Sequence, residues 1–172
     1  INSIESARLI LNSGADKISV NTPAIENPIL INELAKTFGS QCVTVGIDSM
    51  QESGQYIVYS KTGSVKTSFN TKILTKDWII KIQELGAGEI VLNCMNQDGV
   101  KRGFDIKQLN YMSDVINVPL IASGGAGKEI DFYNVLNNPK ISGALAATVF
   151  HNSEIQIEDL KNFLKQNNIH IR

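Results

Sequence analysis

The sequence predicts a parallel α/β fold, in which short buried strands alternate with amphipathic helices. Two observations carry this prediction: apolar runs that each stop at a polar residue or a glycine turn, and intervening segments whose apolar residues recur three and four positions apart. Strands that alternate with helices favour a parallel sheet joined by right-handed crossovers. In such a sheet the side chains at the carboxyl ends of the strands converge on one face, where ligands bind.

The elements follow from these patterns in chain order. The predicted strands are residues 17–20, 43–47, 89–92, 118–122 and 143–147. The predicted helices are residues 4–11, 29–38, 78–85, 128–136 and 160–164. Asn2 or Ser3 is a candidate N-cap of the first helix. A strand with an alternating side-chain pattern at 56–59 is followed by a second short strand near 65–67. Together they predict a hairpin inserted on the ligand face. That hairpin is either a flap over a substrate or partner, or a plain surface feature.

The most informative segment is the strand at 118–122, which gives way to Ser123, Gly124 and Gly125 and then to a helix. Glycines let the backbone approach a ligand closely, and the amino end of a helix attracts anions. With Gly99, Gly127 and Thr148, these residues form a candidate anion cradle. Asp98 is a second carboxylate on the same rim, although Asp-Gly is also an ordinary turn signal.

A second candidate cradle is formed by Asn21 and Thr22, which follow the first strand. Asp48 ends the strand between the two cradles, where a carboxylate can exchange protons with a ligand. From position alone, a helix cap or an ion-pair partner is an equally good role for Asp48. Two anion cradles that flank a carboxylate predict a substrate with a phosphate at each end.

Composition narrows the class of protein only modestly. The chain has 172 residues, a net charge of -1 and interspersed acids and bases, so it shows no electrostatic signature of a nucleic-acid or anionic-membrane partner. It has no membrane-spanning apolar run and no signal-peptide pattern, so we expect a cytoplasmic protein. Cys42 and Cys94 are expected to be reduced thiols, with Cys94 a weaker candidate for chemistry. His151 and His170 are expected to be structural or surface residues rather than metal ligands, and no cofactor is expected.

The number of repeats suggests an incomplete barrel. Five strand–helix repeats are most of an eight-stranded (β/α)8 TIM barrel, which usually needs about 250 residues. An open sheet would also expose the apolar edge at residues 17–20, which natural proteins avoid. We therefore expect residues 1–172 to be the carboxyl-terminal two-thirds of a single barrel domain, holding roughly strands 4 to 8.

Six motifs follow one another along the chain, at residues 14–21, 38–43 with 46–48, 86–93, 98–100 with 103–105, 121–127 and 145–151. In this order and spacing they resemble the cyclase subunit of imidazole glycerol phosphate synthase. Many members of the family have threonine, serine and aspartate around the turn where this chain has Asn93, Cys94 and Asn96. The sequence Met-Asn-Gln-Asp-Gly at 95–99 nevertheless resembles one bacterial branch of the family. Thr148 stands where serine is common and keeps the hydroxyl.

The resemblance implies a reaction and roles for individual residues. The family uses ammonia to convert a bis-phosphorylated nucleotide (PRFAR) to imidazole glycerol phosphate and the carboxamide ribotide AICAR, with two aspartates as general acid and base. Asp48 matches one aspartate, and its partner on the first strand is not in this chain. The remaining matches are Asn21 and Thr22 for one phosphate, Gly99, Gly125, Ala147 and Thr148 for the other, and Asp98 beside the substrate.

The resemblance also implies a partner. Asp16 and Lys17 match positions on the opposite face, where the family docks its glutaminase subunit as a heterodimer and gates ammonia entry. From the sequence alone, a strand-start lysine that reaches solvent is the plainer interpretation of Lys17. Two alternatives to the cyclase remain: a related barrel that delivers ammonia for sugar amidation in surface polysaccharide synthesis, and a non-catalytic fragment or scaffold.

Overall fold

The computed structural model describes residues 1–171, which form one seven-stranded sheet with helices packed against it. The strands are β1 (Ile18–Val20), β2 (Val43–Glu52), β3 (Gln55–Ser60), β4 (Phe69–Leu74), β5 (Glu89–Cys94), β6 (Leu120–Ser123) and β7 (Gly143–Leu145). The helices are α1 (Ile4–Asn12), α2 (Thr22–Glu26), α3 (Ile29–Phe38), α4 (Thr75–Glu84), α5 (Ile106–Ser113), α6 (Glu129–Leu136), α7 (Thr148–His151) and α8 (Ile157–Gln166). A 3-10 turn (Ser40–Cys42) leads into β2.

The five predicted strands are all present, and they are parallel. They lie side by side in chain order as β1, β2, β5, β6 and β7, so each strand–helix unit places its strand beside the previous one. The carboxyl ends of these strands therefore share one edge of the sheet. Within residues 1–171 the parallel strands form an open arc with β1 and β7 at its ends.

The predicted helices are confirmed, and the structure adds one of comparable length. Ser3 is the N-cap of α1 and accepts a hydrogen bond from the Ser6 amide, as predicted for a residue of this type. Sequence analysis missed α5, which Asp105 caps by accepting a hydrogen bond from the Gln108 amide at 2.9 Å. Its buried face includes a glutamine, which weakens the apolar period that signals a helix.

The hairpin is present, but its second strand was predicted in the wrong place. β2 continues past the parallel sheet and pairs antiparallel with β3, which pairs with β4. The segment at 65–67 is a turn: the amides of Thr67 and Ser68 donate to the Ser64 carbonyl, and Val65 is 96% exposed. Branched residues favour strands only where they pack against a neighbour, and Val65 has none to pack against.

The core lies between the sheet and its helices. The inward faces of the strands contribute Val45, Ile47, Ile90 and Leu92, all at most 1% exposed, and α4 contributes the fully enclosed ring of Trp78. This packing fixes the strands and thus the positions of the polar residues at their ends. None of the helices within residues 1–171 combines the length and apolarity needed to cross a bilayer.

Candidate functional site

Asp48 is the most enclosed carboxylate at the carboxyl ends of the strands. It lies in β2 at the point where the parallel pairing with β5 ends and the antiparallel pairing with β3 begins. Its residue is 8% exposed. The apolar run before it forms the buried part of β2, so the strand carries the carboxylate to the rim with little freedom to move.

Three neutral side chains donate hydrogen bonds to Asp48. The Asn21 amide donates to Oδ2 at 2.7 Å, and the Asn93 amide donates to Oδ1 at 2.8 Å. The Thr62 hydroxyl donates to Oδ2 at 2.6 Å. These donors come from the ends of β1 and β5 and from the loop after β3. Donors of this kind fix the direction of the carboxylate.

A cavity of about 210 Å³ lies beside this carboxylate, at the ends of β5, β6 and β7. It brings together most of the residues of the candidate anion cradle. The predicted residues that line it are Asp98, Gly99, Ser123, Gly124, Gly125, Ala147 and Thr148, and Asn93 and Lys101 line it as well. Asn93 joins the cavity to Asp48, since its amide donates to the carboxylate and its carbonyl accepts from the Ser123 hydroxyl at 3.3 Å.

Glycine is required at the floor of this cavity. Gly125 has φ +107°, and a Cβ atom there would lie 2.2 Å from the Gly103 carbonyl oxygen. The Gly125 carbonyl also accepts a hydrogen bond from the Gly103 amide at 2.8 Å. The backbone of β6 thus turns sharply against the loop after β5, which only a residue without a side chain permits.

The other predicted anion cradle is engaged by the hairpin. The Thr22 hydroxyl accepts hydrogen bonds from the Lys61 amide at 3.0 Å and from the Ser60 hydroxyl at 3.2 Å. Asn21 precedes α2 as its N-cap, and its Oδ1 is buried without a hydrogen-bond partner among the described residues. A free acceptor beside the Asp48 carboxylate suits a donor from a ligand, such as a sugar hydroxyl.

Asp16 and Lys17 lie at the opposite end of the sheet, just before β1, and both are exposed. The Lys17 ammonium pairs with Glu89 Oε2 at 2.5 Å, and Glu89 Oε1 accepts from the Thr44 hydroxyl at 2.9 Å. The structure therefore separates the predicted gate residues from Asp48 by the length of the strands.

The cysteines are free thiols, as predicted. Cys94 is fully buried at the end of β5, and this burial raises the pKa of its thiol above the usual range. A thiol that stays protonated is a poor nucleophile, so the structure argues against chemistry at Cys94. No cluster of three or more His, Cys, Asp or Glu side chains suited to a metal ion occurs within residues 1–171.

Sequence analysis did not assign three residues that the structure places at the site. Asn93 carried the same signal as Asp48, a polar residue at the end of an apolar strand, and could have been found. Lys101 lines the cavity and pairs with Glu154 at 2.5 Å, a contact between distant segments that leaves no local pattern. Thr62 reaches Asp48 only because of the length and register of the hairpin.

Comparisons with known proteins agree with this geometry. The model of the histidine biosynthesis protein family, a TIM-barrel family, matches residues 1–156. Imidazole glycerol phosphate synthase subunit HisF of Photobacterium profundum is 52% identical over the whole chain, which covers 68% of that protein. The HisF subunit of Buchnera aphidicola subsp. Baizongia pistaciae is 54% identical, and the whole chain covers 67% of it. The subunit hisF1 of Vibrio vulnificus is 52% identical, again over the whole chain and 68% of the relative.

The match extends across every strand of the parallel sheet and every residue of the candidate site, from Asn21 to Thr148. Identity above half over the full chain is far beyond what a shared fold alone requires. The chain therefore belongs to the histidine biosynthesis protein family and groups within it with the imidazole glycerol phosphate synthase subunits.

Proposed function

We propose that Asp48 is a general acid–base residue of the cyclase reaction of imidazole glycerol phosphate synthase. The chain is the cyclase subunit of this enzyme, as its identity to HisF proteins over its full length supports. The substrate is the bis-phosphorylated nucleotide PRFAR, and the products are imidazole glycerol phosphate and AICAR. The observation that carries the proposal is a buried carboxylate held by Asn21 and Asn93 beside an anion-sized cavity.

One phosphate of the substrate occupies the 210 Å³ cavity. Gly99, Gly124 and Gly125 leave backbone there without side chains, and Ser123 and Thr148 add hydroxyl donors. Lys101 supplies positive charge at the rim. Asp98 is exposed beside this cavity and contacts the sugar or base rather than the phosphate, because two anions repel each other.

The other phosphate binds at Asn21 and Thr22, at the end of β1. The Lys61 amide and the Ser60 hydroxyl donate to the Thr22 hydroxyl. Donors of these two kinds also bind phosphate oxygens. A substrate held at both ends keeps its reactive carbon near Asp48, so that the reaction with ammonia depends on orientation rather than on diffusion.

Asp48 then moves protons at the reacting centre. Ammonia that adds to the carbonyl carbon gains a positive charge and must lose protons, while the carbonyl oxygen must gain them before it can leave as water. A carboxylate can accept a proton from the added nitrogen and then donate it to the departing oxygen. The three hydrogen-bond donors to Asp48 are neutral, so no ion pair occupies the carboxylate.

The function is tested with the full-length subunit, ammonium chloride and PRFAR, by following the loss of substrate absorbance. We expect saturable turnover at alkaline pH, where ammonia is the abundant form, and formation of AICAR in equal amount. Transfer of ammonia to a sugar acceptor without turnover of PRFAR would instead support the ammonia-delivering barrel. No turnover of either kind would support a scaffold.

We also propose that Asp16 and Lys17 lie at the docking face of a glutaminase subunit and that Lys17 gates ammonia entry. The name of the relatives as synthase subunits supports a partner of some kind. The Lys17–Glu89 pair is exposed at the lysine and lies at the end of the sheet away from Asp48, where β1 and β5 begin. An ion pair at that position opens and closes at low cost, because exposed pairs contribute little to stability.

Lys17→Met is expected to lower glutamine-dependent turnover about tenfold while ammonium-dependent turnover stays within about twofold. The methionine keeps the aliphatic length but cannot pair with Glu89 or control its position. The measurement is the ratio of the two rates in the complex with the glutaminase. Lys140→Met is the matched control, since Lys140 also forms an exposed pair, with Asp114 at 2.8 Å, and should leave both rates unchanged. Equal loss of the two rates in Lys17→Met would refute the gate.

A further inference from the structure

Directly behind Asp48, on the other face of β2, lies a buried polar cluster formed by Ser49, Thr75 and Gln108. All three residues are 0% exposed. The Gln108 side-chain amide donates to Ser49 Oγ at 2.5 Å, and the Ser49 and Thr75 hydroxyls are 2.7 Å apart. We call this set the Ser49 cluster.

The Ser49 cluster ties the end of β2 to two helices. Successive side chains of a strand point to opposite faces, so Asp48 faces the site and Ser49 faces the helices. Thr75 is the first residue of α4, and Gln108 lies in the first turn of α5. The Ser49 carbonyl also accepts a hydrogen bond from the Met95 amide at 2.9 Å, just beyond β5. Four elements thus meet at the residue next to Asp48.

Stability alone does not account for Gln108. Its Oε1 is buried and has no hydrogen-bond partner among the described residues, an arrangement that costs free energy. A methionine would fill a similar volume without burying an unpaired oxygen. A glutamine at this position is thus less stabilising than a methionine would be, but it makes one directed hydrogen bond to Ser49.

We propose that Gln108 is a positioning residue for Asp48. On the site face, the three donors Asn21, Thr62 and Asn93 draw the carboxylate toward β1, β5 and the hairpin loop. On the helix face, Gln108 holds Ser49 and so fixes the strand from behind. A displacement of about 1 Å at a reacting group can cost about a hundredfold in rate. The inference rests on the proposed role of Asp48.

The test is Gln108→Met in the full-length subunit, assayed with ammonium chloride and PRFAR. We expect kcat to fall about tenfold with KM within about twofold, while the urea midpoint is unchanged or higher. Gln83→Met is the matched control. Gln83 donates to the Val115 carbonyl at 2.8 Å and accepts from the Asn117 amide at 2.7 Å, away from Asp48. It should lower the urea midpoint and leave kcat unchanged.

Two further measurements separate positioning from simple damage. Ser49→Ala should lower kcat, and the double variant with Gln108→Met should lose no more than the larger single loss, because both act through one bond. The side-chain amide resonances of Asn21 and Asn93 should shift in Gln108→Met and stay in place in Gln83→Met. Additive losses, an unchanged kcat or unmoved resonances would overturn the proposal. The amide resonances test the positioning role without any turnover. A failure to turn over PRFAR would therefore count against the proposed function and not against the role of Gln108.

Discussion

Asp48→Asn is expected to lower kcat for PRFAR by about a thousandfold with KM nearly unchanged, because the amide cannot accept or return a proton. The substitution keeps the size and shape of the side chain. Asn21 and Thr62 can still donate to the one remaining oxygen if it takes the place of Oδ2, and only the bond from Asn93 is lost, so the fold should persist. The measurement is the initial rate of absorbance loss with saturating ammonium chloride.

Asp114→Asn is the control for this result. Asp114 is an exposed carboxylate at the end of α5 that neither lines the cavity nor contacts Asp48. Its ion pair with Lys140 holds the pKa of its carboxyl below the usual range. Its loss should leave kcat within about twofold, since exposed pairs contribute little. If Asp48→Asn retained the rate of Asp114→Asn, the acid–base role of Asp48 would be wrong.

Gly125→Ala is expected to have the second large effect, on both stability and substrate binding. The new Cβ would lie 2.2 Å from the Gly103 carbonyl oxygen and 2.9 Å from Gln97 Cβ, in a backbone conformation with φ +107° that alanine disfavours. We expect the free energy of unfolding to fall by about 3 kcal/mol or more. We expect KM for PRFAR to rise at least about tenfold, because relief of the clash displaces the floor of the cavity.

The comparison is made with Gly63→Ala by urea denaturation. Gly63 has open space around its Cβ position and no positive φ, so alanine there should change the free energy of unfolding by less than about 0.5 kcal/mol. A second readout is protection by inorganic phosphate, which should raise the melting temperature of the unsubstituted protein more than that of Gly125→Ala. Equal protection of both proteins would place the phosphate elsewhere.

The parallel sheet could be predicted because each of its strands is a short apolar run with a polar end. Asp48, Ser123 and Thr148 were found by this rule. The structure places Ser123 at the end of β6, Thr148 after β7, and Asp48 within β2 where its parallel pairing gives way to the hairpin. The rule works because a buried strand needs apolar residues and the exposed rim of the sheet accepts polar ones. The apolar run and the polar residue after it are adjacent in the sequence, so both can be recognised without the structure.

Contacts between distant segments could not be predicted in this way. Thr62 donates to Asp48 because the hairpin folds back with Asp48 opposite Tyr59 and because Lys61 adopts φ 56°. Neither the register nor a positive φ at lysine has a signature in the sequence. Likewise, α5 was missed because Gln108 lies on its buried face, and a glutamine in a sequence is normally taken for a surface residue.

The neutrality of the donors around Asp48 has a consequence for the response to salt. Within residues 1–171 the four ion pairs all lie elsewhere, and each has a lysine at least 37% exposed. Dissolved ions screen interactions between charged groups at the surface far more than hydrogen bonds in an enclosed site. If the proposed roles hold, we expect rising ionic strength to weaken the binding of an anionic nucleotide and the exposed Lys17–Glu89 pair, while the hydrogen bonds that align Asp48 persist.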